Sequence, residues 1–231
     1  MKEKYKEYFN YYAQLEKDFF STESYVTIEE DNFKTFSVQY NKIYQSICSE
    51  IDCILKEICK QVETNSTANK LGSYYKIINS EFKHFKEETV YFNKQKIELQ
   101  PWKLWEENSA TIWWTFYNKI KHHRLEEDKN SKILYYKYAN LENVLNALAA
   151  LYIAEQYYIY SYNYLNEITI PKEYETDPNY KTAEENKAKS KALLINQSIK
   201  CSMKRWNDNA CYTGFLGQSF FEIEKLYEIM K

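Results

Sequence analysis

The sequence predicts an all-α protein. The 231-residue chain contains only three glycines and three prolines, so few positions interrupt a helix. It also contains 24 tyrosines and 12 phenylalanines, and 44% of its residues are apolar, which is enough to fill a sizeable core. Apolar residues recur at spacings of three and four over long stretches. Together these observations favour long helices that pack through aromatic side chains.

The charge and the cysteines narrow the class of protein further. A net charge of −2 provides no overall basic field, so any contact with nucleic acid needs a local basic patch. The five cysteines are odd in number, and three of them, Cys48, Cys53 and Cys59, share one helical pattern. We therefore expect reduced thiols in a cytoplasmic protein. No spacing typical of a zinc site occurs, and we expect neither a metal nor a cofactor.

Neither a secretion signal nor a membrane span is predicted. The first residues lack the apolar run of a signal peptide. The most apolar window, residues 147–160, is interrupted by Glu155 and Gln156 and is too short to cross a bilayer. We therefore expect a soluble, cytoplasmic protein with no membrane partner.

Periodicity assigns the elements in the first part of the chain. It predicts a helix over residues 2–20 and a long helix over 32–63, with the acidic run 29–32 stabilising the start of the second. A shorter helix is predicted over 71–85. Residues 89–99 alternate β-branched or aromatic residues with polar ones, a pattern that predicts a small β-hairpin.

The second part of the chain contains an aromatic helix, predicted over 109–124, and a second long helix, predicted over 136–165. We expect the two long helices to pack antiparallel, with the aromatic helix against them. Pro171 and Pro178 mark a linker. The predicted organisation is a helical domain over residues 1–167, a linker over 168–181 and a C-terminal helical appendage over 182–231.

The aromatic helix concentrates the candidate chemistry, and we expect the chain to be organised around it. At about 100° per residue, one third of its circumference is apolar; that stripe contains Trp113, Phe116, Tyr117 and Ile120. Asn118 and His122 lie four residues apart on a neighbouring face, with Trp114 and Lys121 at its edge. An amide, an imidazole and an ammonium can therefore meet one ligand.

Glu155 is unusual because it lies in the middle of the apolar stripe of the helix over 136–165. A carboxylate there costs free energy unless it is paired or lies at an opening. Three arrangements remain open: Glu155 pairs with a cation such as Lys121 or Arg124, it lines a cavity, or this end of the helix is exposed.

The stretch Tyr117-Asn118-Lys119-Ile120-Lys121-His122-His123-Arg124, followed by an Ala-rich helix from Asn140, resembles the HEPN superfamily. The stretch from Cys48 to Cys59 also resembles the first core helix of those domains, and the resemblance covers about residues 30–166. HEPN domains are small helical domains, often dimeric, of prokaryotic toxin–antitoxin and phage-defence systems, and many are metal-independent endoribonucleases. The resemblance implies a homodimer, RNA as a ligand, and an antitoxin or another defence protein as a partner.

The sequence departs from the family's active motif, which is an Arg, commonly a polar residue after it, and a His several positions later. Asn118 and His122 match the latter part, but Tyr117 occupies the Arg position. The only two arginines, Arg124 and Arg205, both follow the last histidine. The sequence therefore does not decide whether the protein is an enzyme: the two interpretations are an atypical ribonuclease and an RNA-binding subunit.

In the catalytic interpretation, His122 is the general acid or base, Asn118 orients it, and Lys121 holds the phosphate. Further contacts with RNA would come from four neighbouring side chains: Arg124, Lys119, His123 and Trp114. Lysine is a weaker substitute for the motif arginine because it lacks the guanidinium fork.

Two non-catalytic interpretations stand beside it. In the structural one, Asn118 and His122 form hydrogen bonds within the bundle, and the basic residues form a solvated end that suits the negative pole of the helix dipole. In the other, the bundle is a dimerisation or partner-docking scaffold.

Overall fold

The computed structural model describes residues 4–92 and 95–165. The predicted linker over 168–181 and the appendage over 182–231 lie outside these residues. The described part is mostly helical, which confirms the predicted class. Its five helices and two strands are α1 (Lys4–Ser21), α2 (Val38–Val62), α3 (Leu71–Glu81), β1 (Val90–Phe92), β2 (Ile97–Leu99), α4 (Ile112–His123) and α5 (Leu141–Leu165).

The central helix of the bundle is α5. Every residue from 147 to 158 is at most 1% exposed, so the helix is covered on all sides over this stretch. A helix that is apolar around its whole circumference is the kind that a core encloses. Small side chains such as Ala147, Ala150 and Ala154 allow neighbouring elements to approach it closely.

The two long helices run in the same direction, so the predicted antiparallel packing is wrong. Their first residues are joined, because the amide of Leu141 donates to the carbonyl of Thr35 at 2.9 Å and the amide of Glu142 donates to that of Phe33 at 3.1 Å. Further along, Glu50 of α2 and Glu155 of α5 are close enough to interact electrostatically. The segment before α2 thus fixes the start of α5 beside the start of α2.

Helix α1 runs antiparallel to this pair. Its early residue Tyr8 packs edge to face on Tyr158, late in α5, with ring centroids 5.3 Å apart. Its late residue Phe19 lies 6.4 Å from Tyr40, which is in the first turn of α2. Such aromatic pairs add to the stabilisation that comes from burying the rings.

Helix α2 begins six residues later than predicted. Ser37 is its N-cap, and the Oγ atom accepts a hydrogen bond of 3.0 Å from the amide of Tyr40. The acidic run that we expected at its start forms a separate 3-10 turn, Glu30–Asn32. Helix α3 ends at Glu81, earlier than predicted, and another 3-10 turn follows at Phe85–Glu87.

Helix α5 also begins later than predicted. The residues assigned to its first turn form a 3-10 turn, Tyr135–Tyr138, and Asn140 then caps the helix by accepting a hydrogen bond of 3.0 Å from the amide of Asn143. Within the stretch 89–99, β1 and β2 pair antiparallel, with Val90 opposite Leu99.

A cluster of buried aromatic rings fixes α4 against α5. The Nε1 atom of Trp102 donates to the carbonyl of Ala150 at 3.1 Å, and that of Trp113 donates to the carbonyl of Pro101 at 2.8 Å. The two indoles meet edge to face, with centroids 5.2 Å apart. The segment before α4 is therefore attached to both helices, and α4 has a defined position on the bundle.

No helix in the described part combines the length and the apolar character that a membrane span requires.

Candidate nucleic-acid interface

The C-terminal end of α4 is a surface made of four consecutive nitrogen-bearing side chains. Lys121, His122, His123 and Arg124 are all exposed, and we call this set the α4 basic end. The set borders an open depression of about 430 Å³, which is also lined by Gln45 of α2 and by Leu125 and Glu126. The buried part of α4 fixes the backbone of this end, so the four side chains extend from a rigid element into solvent.

Three of these side chains differ in their local contacts. The Nδ1 atom of His123 lies 2.9 Å from a carboxylate oxygen of Glu126, and the ammonium of Lys121 lies 5.6 Å from the ring centroid of Tyr117. The ring of His122 stands 6.3 Å from that of His123 and makes no hydrogen bond to any described residue. The imidazole of His122 is therefore available to a ligand.

Two of the predicted ligand-binding residues lie away from the depression. Asn118 is half-buried and does not border it. Lys119 extends to another side of α4, where its ammonium lies 5.6 Å from the ring centroid of Tyr135. Residues 119 and 121 are about 200° apart around the helix, and this explains why the two lysines face different neighbours.

The structure corrects the expectation that Trp114 stacks on a base. Its side chain is buried, with only 9% of the residue exposed. The indole packs on Trp113 and Tyr117, with centroid distances of 5.7 and 5.2 Å. Because the aromatic stripe of α4 is wider than the sequence pattern suggested, Trp114 belongs to the core.

Tyr117, which the predicted resemblance aligns with the arginine of the family's motif, is also buried. Burial raises the pKa of its phenol to about 12, and its ring packs edge to face on Tyr44 at 6.3 Å. A neutral phenol cannot neutralise a phosphate. The cations at this end of the helix are instead Lys121 and Arg124, one and two turns further along α4.

Glu155 is not an exposed residue and does not pair with the α4 basic end. It is fully buried, and neither carboxylate oxygen has a hydrogen-bond partner among the described residues. Burial, together with the negative charge of Glu50, raises the pKa of this carboxyl group well above its ordinary value. Lys121 and Arg124 are on the surface, whereas α5 is enclosed where Glu155 lies, so of the three arrangements left open the ion pair and the exposed position are both wrong.

Gln45 is the residue that sequence reasoning missed. It is half-buried on α2, and its Nε2 atom donates to the Oδ1 atom of Asn41 at 2.9 Å. In sequence it is one polar position among many on a long helix. Only the packing of α2 against the end of α4 places it at the depression.

The arrangement is suited to binding anions and to donating hydrogen bonds. A guanidinium and an ammonium can contact phosphate oxygens, and two imidazoles and an amide can contact ribose or base edges. Nothing in the described ranges forms a group of three or more His, Cys, Asp or Glu side chains that could hold a metal ion.

No family model matches the chain, and no curated protein or solved structure matches it. The resemblance to HEPN domains therefore stays a prediction.

Proposed function

We propose that the protein binds RNA through the α4 basic end, with Lys121 and Arg124 holding backbone phosphates. The observation that carries this proposal is the exposure of four consecutive nitrogen-bearing side chains around one open depression. Hydrogen bonds between a cationic donor and a phosphate are shorter and stronger than neutral ones. A local patch of this kind can bind a polyanion even though the whole chain carries a net charge of −2.

His122 and Gln45 would supply hydrogen bonds to ribose hydroxyls or to base edges. His122 makes no hydrogen bond with the described residues, so binding a ligand there breaks no bond of the fold. RNA is distinguished from DNA by its 2′-hydroxyl, which both donates and accepts. We therefore propose single-stranded RNA, whose sugars and bases can reach a shallow depression, as the ligand.

Binding is favoured over cleavage. A metal-independent ribonuclease of the proposed kind needs a cation on the scissile phosphate beside a histidine that transfers the proton. At the position of the family's arginine, α4 instead has the buried, neutral Tyr117. We thus propose an RNA-binding subunit, and atypical catalysis by His122, with Asn118 and Lys121, is kept as the outcome that a cleavage assay would reveal.

The proposed setting is a prokaryotic defence or toxin–antitoxin module in the cytoplasm, as the resemblance to HEPN domains implies. A homodimer would strengthen binding, because two copies of the basic end on one RNA supply twice the number of phosphate contacts.

A second candidate function, docking of a partner protein, is favoured by one observation. Leu125 directly follows the basic end and is 73% exposed. An exposed aliphatic side chain beside cations is also suited to contact with an acidic partner protein, such as an antitoxin.

Fluorescence anisotropy with a labelled single-stranded RNA tests the proposal. The double variant Lys121→Ala/Arg124→Ala should bind at least about tenfold more weakly than the wild type, which corresponds to about 1.4 kcal/mol. The matched control is Lys83→Ala/Lys103→Ala, which removes the same charge from two exposed positions outside the basic end. Equal loss in both double variants, or loss in neither, would overturn the proposed site.

A cleavage assay in the presence of a chelator separates binding from catalysis. We expect the wild type to protect or bind the RNA without cutting it. Cleavage by the wild type that His122→Ala abolishes would replace the binding proposal with the catalytic one.

A further inference from the structure

Phe36 places an aromatic ring on the surface directly before α2. It precedes the N-cap residue Ser37, and 42% of it is exposed. A single exposed apolar side chain is common on protein surfaces, so the neighbours of this ring decide what it can do. The backbone of Phe36 has a fixed position, because it forms an antiparallel bridge with Asn140, the residue that caps α5.

Two side chains of the 3-10 turn before α5 meet this ring. The ring of Tyr136 packs on it edge to face, with centroids 5.7 Å apart, and the ammonium of Lys137 lies 5.6 Å from its centroid. Both residues are only half-buried. We call Phe36, Tyr136 and Lys137 the aromatic platform. Aromatic rings combined with cations are what many proteins use to bind single-stranded nucleic acids, because every base has a face that stacks on a ring.

The aromatic platform adjoins the α4 basic end. The amide of Tyr136 donates to the carbonyl of Arg124 at 3.1 Å, and that of Tyr135 donates to the carbonyl of Glu126 at 2.9 Å. The last residue of the basic end and the second ring of the platform are therefore neighbours that a main-chain hydrogen bond joins. A ligand on one of these surfaces can extend onto the other.

A polar stripe of α2 also leads from the platform to the depression. Ser37, Asn41 and Gln45 follow one another at intervals of four residues, which places them on one side of the helix. The amide of Asn41 donates to the carbonyl of Ser37 at 3.1 Å, and the side chain of Gln45 donates to that of Asn41 at 2.9 Å. None of the three is charged, so the stripe does not repel a polyanion.

The length of this stripe corresponds to a short stretch of RNA. At about 1.5 Å per residue, about 12 Å of helix separate positions 37 and 45. A single strand whose bases stay stacked advances about 3.4 Å per nucleotide, so about four nucleotides cover the distance. One strand can therefore reach both the depression and the platform.

The charges around the platform also suit a polyanion. Glu142, at the start of α5, is ion-paired with Lys34 at 2.5 Å, which reduces its repulsion of a phosphate. Lys137 forms no ion pair with any residue in the ranges 4–92 and 95–165. Because a lysine side chain is long and flexible, its ammonium can move from the ring to a phosphate and leave the ring to a base.

We propose that the aromatic platform stacks a base of the same single-stranded RNA whose phosphates bind the α4 basic end. Phe36 and Tyr136 provide the stacking surface, and Lys137 contacts the phosphate beside that base. This inference rests on the proposed function and extends it, because it adds a second contact region with another kind of interaction. It also supplies the stacking role that the buried Trp114 cannot fill.

Fluorescence anisotropy with a labelled single-stranded RNA that is long enough to span both regions tests the platform. Phe36→Leu keeps an aliphatic side chain against Tyr136 but removes the ring, so binding should weaken at least about threefold. Phe36→Tyr, which retains a ring, should bind as the wild type does. The matched control is Tyr11→Leu, which removes an exposed ring from α1. Wild-type affinity in Phe36→Leu, or equal loss in Phe36→Leu and Tyr11→Leu, would overturn the platform.

The salt dependence of binding separates stacking from phosphate contacts. Phe36→Leu should keep the wild-type slope of the logarithm of the binding constant against that of the salt concentration, because a ring displaces no counterions. Lys137→Ala should reduce the magnitude of that slope by about 0.7. A reduced slope in Phe36→Leu, or an unchanged one in Lys137→Ala, would contradict these roles.

The two proposals fail in different ways. Loss of affinity in Lys121→Ala/Arg124→Ala without loss in Phe36→Leu would overturn the platform alone. Loss in neither variant would overturn the proposed RNA-binding site as well.

Discussion

The hydroxyl of Tyr12 donates a hydrogen bond of 3.0 Å to Oε1 of Glu16, one turn later on α1, and both side chains are buried. Burial of this carboxyl group raises its pKa from 4.5 to about 8, and the hydrogen bond from Tyr12 offsets only part of that rise. At neutral pH the folded protein therefore keeps Glu16 protonated.

The stability of the fold should fall as the pH rises. The pKa of Glu16 is higher in the folded state than in the unfolded state, so below about pH 4.5, where both states keep the carboxyl group protonated, Glu16 costs no stability. As the pH rises to about 8, only the unfolded state releases the proton, and the folded state loses stability relative to it. We expect urea unfolding to give a free energy roughly 2–4 kcal/mol lower at pH 8.5 than at pH 5. Glu16→Gln should reduce this dependence but not remove it, because the pKa values of Glu50 and Glu155 are also raised. Glu7→Gln, at an exposed position of the same helix, should leave the dependence unchanged. A wild-type protein that is more stable at pH 8.5 contradicts this expectation.

Gly72 should be essential for the close approach of α3 to the chain before α4. A Cβ atom at this position would lie 2.3 Å from the carbonyl oxygen of Glu107, which is backbone and cannot move aside cheaply. Although alanine favours a helix by about 1 kcal/mol, overpacking costs ~1–3 kcal/mol, so Gly72→Ala should destabilise. Ser80→Ala, exposed on the same helix, should change the free energy of unfolding by less than about 0.5 kcal/mol. A Gly72→Ala variant as stable as the wild type would disprove this contact.

A comparison of two neighbouring tryptophans measures how much one buried hydrogen bond contributes to the free energy of unfolding. Trp102 and Trp105 are both buried, but Trp102 donates to the carbonyl of Ala150, whereas the Nε1 atom of Trp105 has no acceptor among the described residues. Replacement by Phe removes a similar volume at each site. Trp102→Phe should therefore lower the free energy of unfolding by roughly 1–2 kcal/mol more than Trp105→Phe. Chemical denaturation measures both, and equal losses would argue against the bond.

His122→Ala should leave the stability of the fold unchanged. The side chain is exposed and makes no hydrogen bond with the described residues, so its removal should change the free energy of unfolding by less than about 0.5 kcal/mol. A thermal melt of the variant provides the measurement. A loss of more than about 1 kcal/mol would instead support a structural role within the bundle.

The sequence pattern predicted those features that depend on local periodicity. The range of α1, the buried face of α4 with Trp113, Tyr117 and Ile120, and the mostly helical class follow from apolar spacing and from the scarcity of glycine and proline. The predicted start of α2 is wrong because the acidic run and Ser37 are both suited to the start of a helix. Only the hydrogen bond from the amide of Tyr40 shows that Ser37 is the N-cap residue.

Features that depend on distant contacts were not predictable from one sequence. The parallel course of α2 and α5 arises from hydrogen bonds between residues 33–35 and 141–142. The burial of Glu155 depends on α5 being enclosed on all sides, and the position of Gln45 depends on helix packing. At the candidate site, the exposed basic end followed from the charges of consecutive residues, whereas the burial of Trp114 required the structure.

The salt dependence of RNA binding tests the central proposal most directly. Each phosphate contact on a single strand contributes a slope of about −0.7 to a plot of the logarithm of the binding constant against that of the salt concentration. Lys121→Ala/Arg124→Ala should therefore reduce the magnitude of the slope by about 1.4, while Lys83→Ala/Lys103→Ala should leave it as in the wild type. Identical slopes for all three proteins would contradict the assignment of the α4 basic end as the phosphate-binding surface.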